Sequence, residues 1–209
     1  MKRSESRILT THTGSLPRSP ELQELLRSRL DPKDGEAEEF RTGVDEGVAD
    51  VVAKQAEIGI DVINDGEQGR VQYATYVKDR LHGFDGEQVL RARPRLDMVD
   101  FPEFATQSGV SSSSTIPWPA CTGPISWKDK DAVQRDIQRL KNATSGVETE
   151  EVFMTAASPG VIANFLPNEH YPSEEEYLYA LADVMKDDYK AIVDSGLLLQ
   201  IDCPDLAMT

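Results

Sequence analysis

Five short apolar runs constrain this chain more than any other feature, because each closes on small or polar residues. They are "RILTTHTGS", "IDVINDGEQG", "PACTGPIS", "EVFMTAASPG" and "LLLQIDCP". Each has the length and chemistry of a buried strand, and parallel sheets are made of such runs. Stretches of helical character separate them. In "SPELQELLRSRL", Ser19 is placed to cap the helix and Pro20 to open it. In "EEFRTGVDEGVADVVAKQAEIG", Val44, Val48, Val51 and Val52 share one face and Gly59 supplies the stop. "RVQYATYVKDRLHGF" and "DKDAVQRDIQRLKNA" follow the second and third runs. "SEEEYLYALADVMKDDYKAIVDSG" starts at a capping Ser173 and ends at Gly196. Alternation of this kind predicts βα units around a parallel sheet. The strands are expected at about 8–13, 61–65, 119–122, 152–156 and 197–202, parallel and in chain order. The segment at about 86–119 breaks the rhythm: it is rich in Pro, Ser and Arg and reads as a long loop or insertion in a single domain spanning 1–209.

Charge narrows the partners. The 22 Lys and Arg against 37 Asp and Glu leave a formal net charge of −15. Nucleic acid and anionic membranes are polyanions, so both are disfavoured. No run approaches the ~20 apolar residues of a membrane span. The start, "MKRSESRILTTHTG", lacks the apolar core of a secretory signal. Cys121 and Cys203 stand far apart without a CxxC, which predicts a cytoplasmic chain with reduced thiols. No G-x-G-x-x-G or P-loop is present to favour a nucleotide fold.

In parallel barrels the chemistry gathers at the carboxyl ends of the strands. Here those ends carry "HTGS", "DGEQGR", "TGP", "SPG" and "IDCP". Read singly, "GSLP" and "DGEQG" are also ordinary turn chemistry. Taken in order, "THTGSLPR", "DVINDGEQGR", "TGPISW" and "LQIDCPDLAM" resemble the cobalamin-independent methionine synthase family, in its short single-barrel branch that includes epoxyalkane:coenzyme M transferase-like proteins. The resemblance implies an α/β fold, the (β/α)8 TIM barrel of the methionine synthase C-terminal type. Such a barrel takes ~250 residues, and five strands amount to about five eighths of it. The chain is therefore expected to end inside the barrel, after its fifth strand.

The family reaction is a zinc-dependent methyl or alkyl transfer to a small-molecule thiol. Zinc holds the thiol as thiolate because the cation stabilises the anion. In methionine synthases the acceptor is homocysteine and the donor a methyl-folate, a step of methionine biosynthesis. In the coenzyme M branch the donor is an epoxide. The family's zinc ligands, a His-x-Cys pair, a Glu and a second Cys, come from later strands. His12, His82, His170, Cys121 and Cys203 do not reproduce that spacing, so no metal ligand and no catalytic residue is assigned in this chain. The resemblance does place the acceptor's anchors here. Ser15 and the adjoining backbone at Gly14 would meet the acceptor's carboxylate. Glu67 and Asp202 would meet its ammonium, since two carboxylates facing one cation is sound electrostatics. Trp127 would stack on the pterin, and His12 points towards the barrel mouth.

Departures from the family pattern are Thr13 before the Gly-Ser pair, His12 itself, and Cys203 at a usually acidic place. The extra N-terminal barrel of the long synthases has no counterpart. Arg70 is expected to pair with Glu67 or Asp65, His82 and His170 to be structural, and the cysteines to be small buried fillers. Two other readings stay open. One is a metal-free barrel related to uroporphyrinogen decarboxylase. The other is an inactive half-barrel that acts by association, since free sheet edges pair with other chains.

Overall fold

The computed structural model describes residues 1–28, 38–89, 100–103 and 117–207. In chain order the elements are α1 (Pro20–Ser28), α2 (Glu38–Glu57), β1 (Val62–Ile63), α3 (Val77–Arg80), β2 (Leu81–His82), β3 (Gly86–Val89), β4 (Pro117–Ala120), β5 (Ser126–Trp127), α4 (Ala132–Thr144), β6 (Glu151–Ala157), α5 (Pro159–Phe165), α6 (Glu174–Asp194) and β7 (Leu198–Asp202). A 3-10 turn, Pro204–Ala207, follows β7.

The helices begin where their sequences say they should. Ser19 Oγ accepts the Leu22 amide at 3.1 Å at the head of α1. Ser173 Oγ accepts the Glu176 amide at 3.1 Å at the head of α6, beside three glutamates that suit a helix N-terminus. Val44, Val48 and Val52 form the buried stripe of α2. Gly59 and Gly196 carry positive φ just beyond α2 and α6, a backbone that glycine adopts without a side-chain clash. The stretch after β1 departs from expectation. Of "RVQYATYVKDRLHGF" only Val77–Arg80 is helical; the residues before it form turns, and Leu81–His82 after it pairs with β5.

The central sheet runs β1–β6–β7, all parallel. Thr11 extends it by one parallel bridge to Val62. Strands one, two, four and five of the expected set are thus adjacent and in chain order. The third is a correction: 119–122 is no barrel strand. Pro117–Ala120 pairs antiparallel with Gly86–Val89, and β1 pairs directly with β6, leaving no slot between them. Pro117 and Pro119 lack amide donors, which suits an edge ribbon and excludes a strand hydrogen-bonded on both sides. β6 is therefore the third strand of the barrel and β7 the fourth. The middle of the expected insertion, 90–99 and 104–116, lies outside the described residues, and its two ends meet in the β3–β4 ladder.

The core has two lobes. One joins α1, α2 and α4 to β1 and β6 through residues such as Val52, Ile63, Leu140 and Met154. The other packs α5 and α6 against Tyr76, Leu81 and Cys121. β6 has a strand on either side, and Phe153 to Ala157 are all buried. β7 pairs only with β6 among the described residues, and it is half-buried, with Ile201 44% exposed. Among the described residues no helix is long and apolar enough to cross a membrane.

Candidate functional site

Two loops at the carboxyl ends of the strands lock together. After β1, the Asn64 and Asp65 side chains turn the backbone back on itself. Asn64 Oδ1 accepts the Gly66 amide at 2.6 Å, and Asp65 Oδ1 accepts the Glu67 amide at 2.9 Å. Gly66 (φ 59°) and Glu67 (φ 56°) are both left-handed. A side chain at Gly66 would sit 2.9 Å from Leu16 Cβ, so the close approach of the loops requires glycine. Glu67, with a long side chain in that backbone region, is strained.

The loop after Thr11 is held against this turn. The Leu16 amide donates to the Gly66 carbonyl at 3.0 Å, and Gln68 Nε2 donates to the Leu16 carbonyl at 3.1 Å. Arg18 clamps the turn by donating to the carbonyls of Glu67 (2.6 Å), Arg70 (2.9 Å) and Gln68 (3.3 Å). Partial burial holds its pKa below the usual arginine value. The result is that the Ser15 hydroxyl donates to Glu67 Oε2 at 2.6 Å. Ser15 is exposed and Glu67 is buried, so the pair joins the solvent side of the mouth to its floor.

Asp202 ends β7 opposite Ala157 of β6. Its carbonyl accepts the Ser158 amide at 3.0 Å, and Oδ1 accepts from Gln200 Nε2 at 2.8 Å. Burial raises its pKa above the usual aspartate range; Glu67 repels the same charge, while Arg70 and the Gln200 bond act against the shift. Gln200 also reaches Thr13 Oγ1 at 3.5 Å. Thr13 belongs to the first strand position and Gln200 to the fourth, so the sheet curls enough for its ends to meet.

Ser15 and Glu67 thus meet at the carboxyl end of the sheet, the end at which Asp202 closes β7, and Gly14 (φ 79°) opens the turn that delivers Ser15. His12 lies on the same rim: Asn64 Nδ2 donates to its carbonyl at 3.2 Å. Its Nε2 is buried with no hydrogen-bond partner, an uncommon state that calls for an explanation. Trp127 is held by other partners. It pairs with Leu81, and its indole N–H donates to Asp187 of α6 at 3.0 Å. Among the described residues no hydrogen bond joins it to Ser15, Glu67 or Asp202.

Arg70 corrects its expectation. It makes no ion pair with Glu67 or Asp65; its guanidinium donates to Thr155 Oγ1 at 2.7 Å and to the Thr155 carbonyl at 2.6 Å. Thr155 and Tyr73 lie outside the motifs at the run ends. Thr155 is a polar residue inside the apolar run "EVFMTAAS", which was the available signal. Tyr73 packs edge-on to Phe165 at 5.7 Å between ring centres. Its hydroxyl pKa is raised by burial first, then by the negative charges of Asp202, Glu67 and Asp205.

Cys121 is buried, and burial pushes its thiol up to about 11, which suits a packing role and opposes a nucleophilic one. Cys203 is half-buried, and His82 and His170 are exposed. Among the described residues no three His, Cys, Asp or Glu side chains gather in a way that could hold a metal ion. The described residues do not fit a zinc site.

Comparison with known proteins places the sequence and the fold. The family model for the catalytic domain of cobalamin-independent synthase matches residues 8–91. Methionine synthase of Sulfolobus acidocaldarius is 26% identical over 196 residues, covering 93% of this chain and 51% of that protein. The 5-methyltetrahydropteroyltriglutamate–homocysteine methyltransferase of Cronobacter sakazakii is 38% identical over 77 residues, 36% of this chain and 10% of that enzyme. The structure of a B12-independent methionine synthase from Shewanella sp. W3-18-1, in complex with selenomethionine, superposes with a TM-score of 0.70 at 23% identity, covering 93% of this chain and 51% of that one. This chain spans about half the length of the short methionine synthases it matches. Motifs and fold converge: the chain is similar to the cobalamin-independent methionine synthases, with the catalytic-domain family model matching residues 8–91, and its mixed α/β architecture is that of an incomplete (β/α)8 barrel.

Proposed function

We propose that this chain supplies the acceptor-anchoring part of a methyltransferase site, in which the methyl of 5-methyltetrahydropteroyltriglutamate passes to homocysteine. In that reaction the acceptor's thiol loses its proton, its sulfur bonds the methyl carbon, and the carbon–nitrogen bond of the donor breaks. Glu67 and Asp202 receive the acceptor's ammonium; Ser15 and the Gly14 backbone receive its carboxylate. The observation that carries this reading is the Ser15–Glu67 contact at 2.6 Å, with Glu67 also reaching Thr155 of β6 at 3.4 Å and Asp202 ending the adjacent strand β7. A paired-carboxylate floor favours a cation over a sulfonate, so homocysteine is the preferred acceptor over a coenzyme M-like thiol. The unpartnered His12 Nε2 fits a further polar contact to the bound acceptor. Trp127 has less support as a pterin platform, because its polar end is held by α6.

In this reading the family's zinc is held by groups other than the residues described here, and no step is derived through it. Residues 1–209 form one partial barrel domain in the same proposal. A cytoplasmic setting belongs to the same proposal and rests on two free cysteines. Isothermal titration with L-homocysteine tests the reading. The wild-type chain should bind, and Glu67→Gln and Asp202→Asn should each weaken binding about tenfold or more, as loss of a charged hydrogen bond does. Unchanged affinity in both variants would overturn it.

A second reading is favoured by one observation. β7 is paired on one side only among the described residues and exposes Ile201, so association with another chain along that edge is the alternative role.

A further inference from the structure

Arg70 and Thr155 have no place in the anchoring scheme above, yet they are built into its floor. Glu67 has two carboxylate oxygens, and each meets a different hydroxyl. Oε2 accepts from Ser15 at 2.6 Å, and Oε1 accepts from Thr155 Oγ1 at 3.4 Å, at the long end of hydrogen bonding. A hydroxyl has one proton to donate. Arg70 fixes where that proton goes. Its Nη1 donates to Thr155 Oγ1 at 2.7 Å, occupying an acceptor lone pair, so the hydroxyl proton is left for Glu67. Its Nη2 grips the Thr155 carbonyl at 2.6 Å, which prevents the side chain from swinging away. Lysine has no such fork.

Arg70 is itself fixed from behind. Its guanidinium lies over the Tyr76 ring at 4.5 Å, and Arg80 lies over the same ring at 4.7 Å. Arg80 in turn pairs with Asp136 and lies 3.6 Å from Asp188. Arg70, Tyr76, Thr155 and Glu67 are all buried, so the chain of contacts runs from the helix layer to the mouth without passing through solvent. A buried guanidinium with that much support is an expensive feature for a fold that needed only a packed residue.

We infer that Arg70, acting through Thr155, is a positioning residue that aims the Glu67 carboxylate at the acceptor's ammonium. The inference rests on the anchoring role proposed above for Glu67. It predicts an effect on recognition of the amino group and not on binding in general, because among the described residues the Thr155 hydroxyl hydrogen-bonds Glu67 and no hydrogen bond joins it to Ser15 or Asp202.

The test is titration of the 209-residue protein with L-homocysteine and with 4-sulfanylbutanoate, which lacks only the amino group. The quantity read is the ratio of the two affinities. Wild type should prefer the amino acid. Thr155→Val, which keeps shape and removes the hydroxyl, should cut that preference on the order of tenfold. Thr155→Ser should restore most of it. Arg70→Lys should cut the preference too, and it gives an independent readout with the hydroxyl intact. Circular dichroism on each variant confirms folding. Thr155→Val and Arg70→Lys that keep the wild-type ratio, or weaken both ligands equally, would overturn the positioning role and leave the anchoring proposal standing. A wild-type chain that binds both thiols equally would instead remove the anchoring role of Glu67, and this inference with it.

Discussion

Glu67 is a buried carboxylate on a left-handed backbone, held by a serine from one loop and a threonine from a strand. Strain of that kind, on the order of 1–3 kcal/mol, persists only when neighbours over-determine it. Here Gly66 makes the approach of Leu16 feasible and Arg18 ties off three carbonyls. Gly66→Ala should therefore destabilise the protein by about 1–3 kcal/mol, read as a drop in urea midpoint. Asp202 makes a pH-dependent prediction. Its pKa is raised in the folded state, so its protonated form stabilises the fold at low pH, and that contribution is lost as pH rises through the raised value. Asp202→Asn should raise stability near pH 7 and leave it nearly unchanged below the ordinary aspartate range, as thermal melts across pH would show. Ammonium binding has the opposite sense: wild-type affinity should fall on acidification from a higher pH than an ordinary aspartate would give. Much of this site is legible from sequence, since Ser15, Glu67 and Asp202 sit in short motifs at run ends. Thr155 and Tyr73 are not, because a strand interior and an irregular turn carry no motif. Arg70 was misread for a related reason: proximity in sequence to two carboxylates says nothing of which strand its side chain crosses to meet.

At the scale of elements, caps and stripes were readable because they are local. Ser19, Ser173 and the valine face of α2 are where the sequence puts them. The third apolar run was misleading. "PACTGPIS" has the composition of a strand, but its pairing was decided by prolines and by a distant partner at 86–89 that no local pattern reveals. β1 is only two residues long, yet it is central, because the Asn64 and Asp65 turn begins at once. The sheet is braced by α2 and α4 through Leu140, which is fully buried. Leu140→Ala should cost about 2–5 kcal/mol in urea unfolding, since the cavity has rigid helices on its walls. A loss below about 1 kcal/mol would mean that α4 is not firmly docked.

At the scale of the whole molecule, four parallel strand positions curl until Thr13 meets Gln200, and the acidic mouth forms at their carboxyl ends. Among the described residues the outer edge of β7, half-exposed and bearing Ile201, pairs with no further strand. Light scattering coupled to gel filtration should find species above the 23.2 kDa monomer at micromolar concentration if that edge pairs. A clean monomer at all concentrations would remove association from the account. The central claim is that Ser15, Glu67 and Asp202 form one amino-acid anchor. The most direct measurement is a crystal structure of this chain with L-homocysteine bound. The account predicts the ammonium within about 3 Å of both the Glu67 and Asp202 carboxylates, with the acceptor's carboxylate at Ser15. An acceptor bound elsewhere, or turned with its carboxylate against Glu67, would contradict it.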